Sequence, residues 1–263
     1  MEKTRGSWLQ LVGWAIGLLI GLFAISYLAR QGFQGTGLVS IYSRAVIRVA
    51  YAAVVVGVGL HLLNGQRILV SPMKMTRFLQ IMLGVIIALL VLLLLAGGFP
   101  YRLIGMVKSP FFIANTLVAL SAGMLEEMTC RGLLFSGFAM RFHHFRYRWT
   151  LAAVTSGMVF GLLHFTNMIA GQGLQVTAQQ ACYAVILGIL FVTIRLATNS
   201  LVWIIGIHFL IDWQPTISTS VLSGQGSPWG PFLILWLPVL AVGLLFMWGY
   251  DRQFNRIKSN ALL

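Results

Sequence analysis

The stretch FLQIMLGVIIALLVLLLLAGG, residues 78–98, carries no charged side chain over its whole length. A run of about 20 apolar residues is what a helix needs to cross the roughly 30 Å hydrocarbon core of a bilayer. Comparable runs lie on both sides of it, at about 8–29, 44–63, 111–140, 150–169, 175–197, 199–213 and 229–249. With 59% hydrophobic and only 9% charged residues, the chain lies far from the composition of a soluble globular domain, which is about 25% charged. It reads as all-α: one integral-membrane domain over 1–263, a polytopic bundle of about eight transmembrane helices. The run from Trp8 to Ala29 is too long for the apolar core of a signal peptide and is taken as the first span. The run over 111–140 exceeds a simple span, so its last residues are expected to leave the hydrocarbon core.

The net charge of +13 does not point to nucleic acid, because lysines and arginines sit in short segments between the apolar runs. That is the pattern of topology signals and lipid headgroup contacts. With the N-terminus inside, the cytoplasmic segments hold Lys3, Arg5, Arg67, Lys74, Arg77, Arg141, Arg146, Arg148, Arg195, Arg252, Arg256 and Lys258. The opposite side holds Arg30, Arg44, Arg102 and Lys108. The excess places both termini in the cytoplasm of a multi-pass protein of the plasma or inner membrane. Membrane lipids are expected partners, and the basic, aromatic stretch 141–149 (RFHHFRYRW) reads as a loop resting on anionic lipid. Gly13, Gly17 and Gly21 form a flat stripe that suits close helix packing, within the chain or in an oligomer whose size the sequence leaves open. Cys130 and Cys182 both fall in apolar segments and make no disulfide framework.

The chain has five acidic residues, and two of them, Glu126 and Glu127, stand side by side in LEEMTCRG (125–132). An ionisable group at the centre of a span costs roughly 2.5–3.5 kcal/mol on insertion scales. Glu126, Glu127, Arg131, His164, His208 and Asp212 all lie in spans, so they must face one another or a wet cavity. Helical spacing sorts them. Glu127 and Arg131 are four residues apart and can pair, as can His208 and Asp212, and Phe160 shares a face with His164. Glu126 points about 100° away from Glu127 and is free to face something else. Counted from Arg141, Arg148 and Arg195, the residues Glu126, His164 and His208 lie at depths of roughly 20–24 Å. Three spans thus bring a carboxylate and two imidazoles to one level. A carboxylate and a histidine can hold and deprotonate a water molecule. A second histidine with an aspartate can complete a zinc site or, without metal, stabilise an oxyanion. Both schemes give amide hydrolysis within the bilayer, whereas a transporter or proton relay uses the same residue types.

At these residues the sequence resembles the CAAX protease and bacteriocin-processing enzyme (CPBP, or Abi) family of intramembrane proteases. The family motif Glu-Glu-x-x-x-Arg stands as EEMTCR (Glu126, Glu127, Arg131), Phe-x-x-x-His as FGLLH (Phe160, His164), and His-x-x-x-Asn/Asp as HFLID (His208, Asp212). The likeness covers about residues 110–215. It implies an eight-helix bundle with a cavity open to the cytosol and endopeptidase activity on a hydrophobic or lipidated peptide. Glu126 would then activate water with His164 as its partner, and His208 with Asp212 would form the third corner. Glu127, Arg131 and Phe160 would support them. Family members are described both as metal-dependent and as metal-free. Asp212, where the family also uses asparagine, favours ligation of zinc or another divalent metal by Glu126, His164, His208 and Asp212, or else orientation of His208. A non-catalytic immunity-type membrane protein is a further reading of the same pattern.

Overall fold

The computed structural model describes residues 6–35, 37–69, 72–169, 171–219 and 226–260, and they fold into a bundle of helices. Lys3 and Arg5 of the charge comparison, and part of the outer loop after Ile217, lie outside the described residues. The helices are α1 (Trp8–Gly32), α2 (Leu38–Leu63), α3 (Arg77–Ala96), α4 (Phe99–Lys108), α5 (Phe112–Glu126), α6 (Phe135–Arg141), α7 (Arg148–Leu163), α8 (Leu174–Thr198), α9 (Val202–Asp212) and α10 (Trp229–Asn260). A π-helical segment, Glu127–Leu134, joins α5 to α6, and a 3₁₀ turn, His164–Met168, extends α7. Among the described residues six helices are long and apolar enough to cross a membrane: α1, α2, α3, α7 with its 3₁₀ tail, α8 and α10. Their outward faces carry exposed Ile16, Ile20, Val54, Ile87, Leu92 and Ile234, the surface expected against acyl chains. The protein is a multi-pass membrane protein.

Several segments differ from the sequence expectation. Helix α4 occupies what reads as an outer loop. Its ten residues are too few for a span, and Pro100 at its start fits the first turn, where an N–H would have no partner anyway. Helix α10 continues to Asn260 because its last turns are amphipathic rather than apolar, which a hydropathy window ends too early. The expected single run over 111–140 is one helical rod in three pieces, α5, the π segment and α6. Arg195 is not a surface marker: its side chain is fully buried in α8. It donates to Gly132 O and to Ser136 Oγ at 3.3 Å each. It therefore leaves the charge comparison without changing its sign, and the depth counted from it for His208 has no surface reference. The glycine stripe of α1 is only partly used. Gly21 abuts Tyr51 of α2, while Gly13 and Gly17 meet no side chain of the fold.

Helix α8 forms the centre. Every residue from Ile186 to Leu196 is buried, and α7 closes on it so tightly that a Cβ at Gly161 would stand 2.6 Å from Ala181 O. Two side chains from distant elements tie the ends of the bundle. Asp251 of α10 accepts from Trp149 N–H (3.1 Å) and Thr150 N–H (2.9 Å), supplying the missing cap at the start of α7. Asn199 ends α8 in the left-handed region (φ 53°). Its side chain accepts from Ile68 and Leu69 N–H and donates to Leu69 O, so the chain reverses there and α9 starts from a fixed point beneath the core.

Candidate functional site

The site is built where the π segment, α7 and α9 converge. π-Helical turns inside α-helices are frequent at functional sites. Here Phe135 N–H reaches back to Cys130 O, five residues earlier. Within the segment Glu127 and Arg131 are fully buried and paired, Oε1 to Nη1 at 2.9 Å. The Arg131 guanidinium also lies over the Phe160 ring at 4.0 Å and the Phe191 ring at 5.4 Å. Aromatic faces attract a cation most strongly when it is desolvated.

His208 of α9 is the hub. Its Nδ1 stands 2.7 Å from Glu127 Oε1. A carboxylate oxygen paired with arginine only accepts, so Nδ1 carries the proton and donates. Its Nε2 stands 3.6 Å from Glu126 Oε2 and 3.5 Å from Asp212 Oδ2. A bare nitrogen lone pair aimed at two carboxylates is repulsive. A proton on Nε2 or on one of those oxygens makes the arrangement attractive. The buried inner wall, Glu127 and Arg131, is closed, whereas Glu126 keeps 26% and Asp212 31% of its side-chain surface. The cluster thus has one sealed face and one open face.

His164 begins the 3₁₀ turn after α7. Its Nδ1 stands 2.9 Å from Phe160 O; a carbonyl can only accept, so Nδ1 donates, and in the neutral ring Nε2 is the acceptor. Its ring meets the Phe160 ring edge-on at 4.9 Å, and the same ring touches His208 at 6.3 Å. Phe160 therefore holds both imidazoles and the arginine around one aromatic core. The structure brings Glu126, Glu127 and Asp212 within ion-pair reach of His208, pairs Glu127 with Arg131, and links His164 to them through Phe160. The Glu127–Arg131 pair holds His208 through Glu127 Oε1. Among the described residues no group of three or more His, Cys, Asp or Glu side chains is arranged to hold a metal ion.

Three contributors escape a reading by motif. Phe191 caps the arginine from α8, and Arg195 fastens the π segment from behind. Gly123 of α5 sits against α9 so closely that a Cβ there would stand 2.9 Å from Ile205 O and 3.3 Å from Phe209 N. That approach lets His208 reach both glutamates. Gly123→Ala is therefore expected to push α9 outward at a cost of about 1–3 kcal/mol, the scale of overpacking a filled contact. Thermal unfolding of the purified variant tests this. A signal for Gly123 was present in its place four residues before Glu127, but a lone glycine in a span has many uses.

Residues 108–214 match the family described as Type II CAAX prenyl endopeptidase Rce1-like. The matched segment runs from the end of α4 through α9 and contains all three motifs. Searches of curated proteins and of solved structures returned no match.

Proposed function

We propose that the chain is an intramembrane endopeptidase of the cell membrane, cleaving a hydrophobic, prenylated or otherwise lipidated peptide with Glu126, His164, His208 and Asp212. The observation that carries this reading is the position of His208. Nδ1 is fixed by Glu127, and Nε2 is presented beside Glu126 on the open side of the cluster. The matched family supports protease chemistry at family level.

The residues divide the work as follows. Glu126 is the base, because it is the more exposed of the two glutamates and is not tied to arginine. It takes one proton from a water whose oxygen attacks the peptide carbonyl carbon. His164 offers its Nε2 lone pair to hold that water. The carbonyl oxygen becomes negative, and the protonated Nε2 of His208 donates to it. Asp212 accepts from Nε2 in the resting site and so keeps the ring facing inward. Glu126 then passes its proton to the amine nitrogen as the C–N bond breaks, leaving a carboxylic acid and an amine. No step is assigned to a metal.

The test compares membrane peptides by mass spectrometry in cells making the wild type or Glu126→Gln. Uncut precursors, hydrophobic or lipidated, should accumulate only with the variant. Cleavage by the purified wild type should persist in a strong chelator. Identical peptide sets from the two cells would overturn the reading, and an ion or proton flux in liposomes lost in Glu126→Gln would favour transport instead.

A further inference from the structure

A cavity of about 780 Å³ opens at the end of the bundle opposite to the loop after α9, between the start of α3, the turn joining α6 to α7 and the last turns of α10. It does not include any residue of the Glu126–His208 cluster. Its walls carry Arg146, Arg252, Arg256 and Lys258 with His143 and His144, and no aspartate or glutamate lines it. Among the described residues none of the four arginine and lysine side chains has a carboxylate within ion-pair distance. Asp251, the nearest acid in sequence, is turned away and occupied by Trp149 and Thr150.

The frame around these cations is fixed by specific bonds. Gln253 of α10 accepts from Thr76 N–H at 3.0 Å and donates to Lys74 O, and Asn255 Nδ2 donates to Arg146 O at 2.8 Å. The His143 ring is held by Met140 O at 2.8 Å and lies against His144 with centroids 3.5 Å apart and planes tilted by 43°, so His143 Nε2 remains available. Exposed Phe78, Phe145 and Trp248 border the charges, and the Arg252 guanidinium lies over Trp248 at 4.6 Å. Aromatic side chains of this kind mark the headgroup level of a membrane, and this is the end of the bundle that the charge excess assigns to the cytoplasm. A fixed concavity with like charges on several walls needs an anion from outside the chain. Its aromatic rim suits an anion that carries acyl chains.

We propose that this cavity binds the phosphoester headgroup of an anionic phospholipid of the cytoplasmic leaflet, a ligand class that basic pockets at that level take. The test is thermal unfolding of the full-length protein in zwitterionic detergent with added phosphatidylglycerol, phosphatidylcholine or inorganic phosphate. Phosphatidylglycerol at saturation should raise the melting temperature by about 5–10 °C, the shift that specific binding to the folded state produces in a chain of this size. Phosphatidylcholine and inorganic phosphate should not. Arg252→Gln with Arg256→Gln should abolish the shift and leave the lipid-free melting temperature unchanged, since both side chains are exposed on a helix. Arg252→Lys with Arg256→Lys should keep most of it. Protection by inorganic phosphate alone would overturn the lipid assignment in favour of a soluble phosphate. Equal protection by phosphatidylcholine, or an undiminished shift in the glutamine variant, would overturn the site.

Discussion

Purified Glu126→Gln protein is expected to lose about 10²–10⁴-fold in kcat, the contribution of a positioned general base, with little change in KM or melting temperature. The amide is nearly isosteric with the carboxylate and can keep its place beside the His208 ring, 3.6 Å away in the wild type. It cannot take a proton from water at neutral pH. Because the side chain keeps 26% of its surface, neutralising it removes little Coulomb energy from the fold, so stability should hold. A fall in kcat without a fall in binding is the signature of an interaction made only in the transition state. The neighbouring Glu127→Gln gives the contrast. Glu127 touches no open face and has both Arg131 and His208 on one oxygen, so its neutral form weakens two buried charge-assisted bonds. It should lose activity and stability together. If Glu126→Gln keeps wild-type turnover while Glu127→Gln does not, the base has been misassigned.

Much of this site is legible in sequence for a simple reason. A charged residue in a span is costly, so the few that exist mark where helices must meet. Four-residue spacing pairs Glu127 with Arg131 and places His208 beside Asp212, and the structure has both contacts. Spacing within a helix says nothing about contacts between helices. Hence the 2.7 Å bond from His208 to Glu127 was not readable. Arg195 misled for a related reason. Near the end of an apolar run, an arginine that snorkels to the headgroups and one that bonds freed carbonyls look alike. Only the packing of α8 against Gly132 and Ser136 separates them. The π segment was also hidden, because residues 127–134 have the composition of an ordinary span and the extra residue per turn is set by tertiary contacts. Helix α4 was missed because ten residues with Arg102 and Lys108 resemble any polar loop. In the structure Arg102 reaches back to Ile211 O at 2.6 Å, joining the outer end to the last turn of α9.

Arg131→Met tests whether the buried pair serves stability or position, and the second large effect is expected here. Removing the guanidinium leaves Glu127, which has no exposed surface, with only the His208 ring to answer its charge inside the bundle. Breaking a buried ion pair in this way costs about 3–5 kcal/mol, whereas replacing both partners by apolar side chains of similar volume is often neutral. Methionine still fills the space between Phe160 and Phe191, where Arg131 now lies at 4.0 and 5.4 Å, and sulfur packs well against aromatic rings. The double variant Glu127→Met with Arg131→Met should therefore recover most of the melting temperature lost in Arg131→Met. It should not recover turnover, since His208 would have lost the carboxylate that accepts from Nδ1 and aims Nε2 at Glu126. A stable double variant without activity would separate the two roles, folding through charge balance and catalysis through the aim of one imidazole. A double variant that is both stable and active would show that Glu127 does not position His208 for catalysis, and the division of labour between the adjacent glutamates would then have to be redrawn.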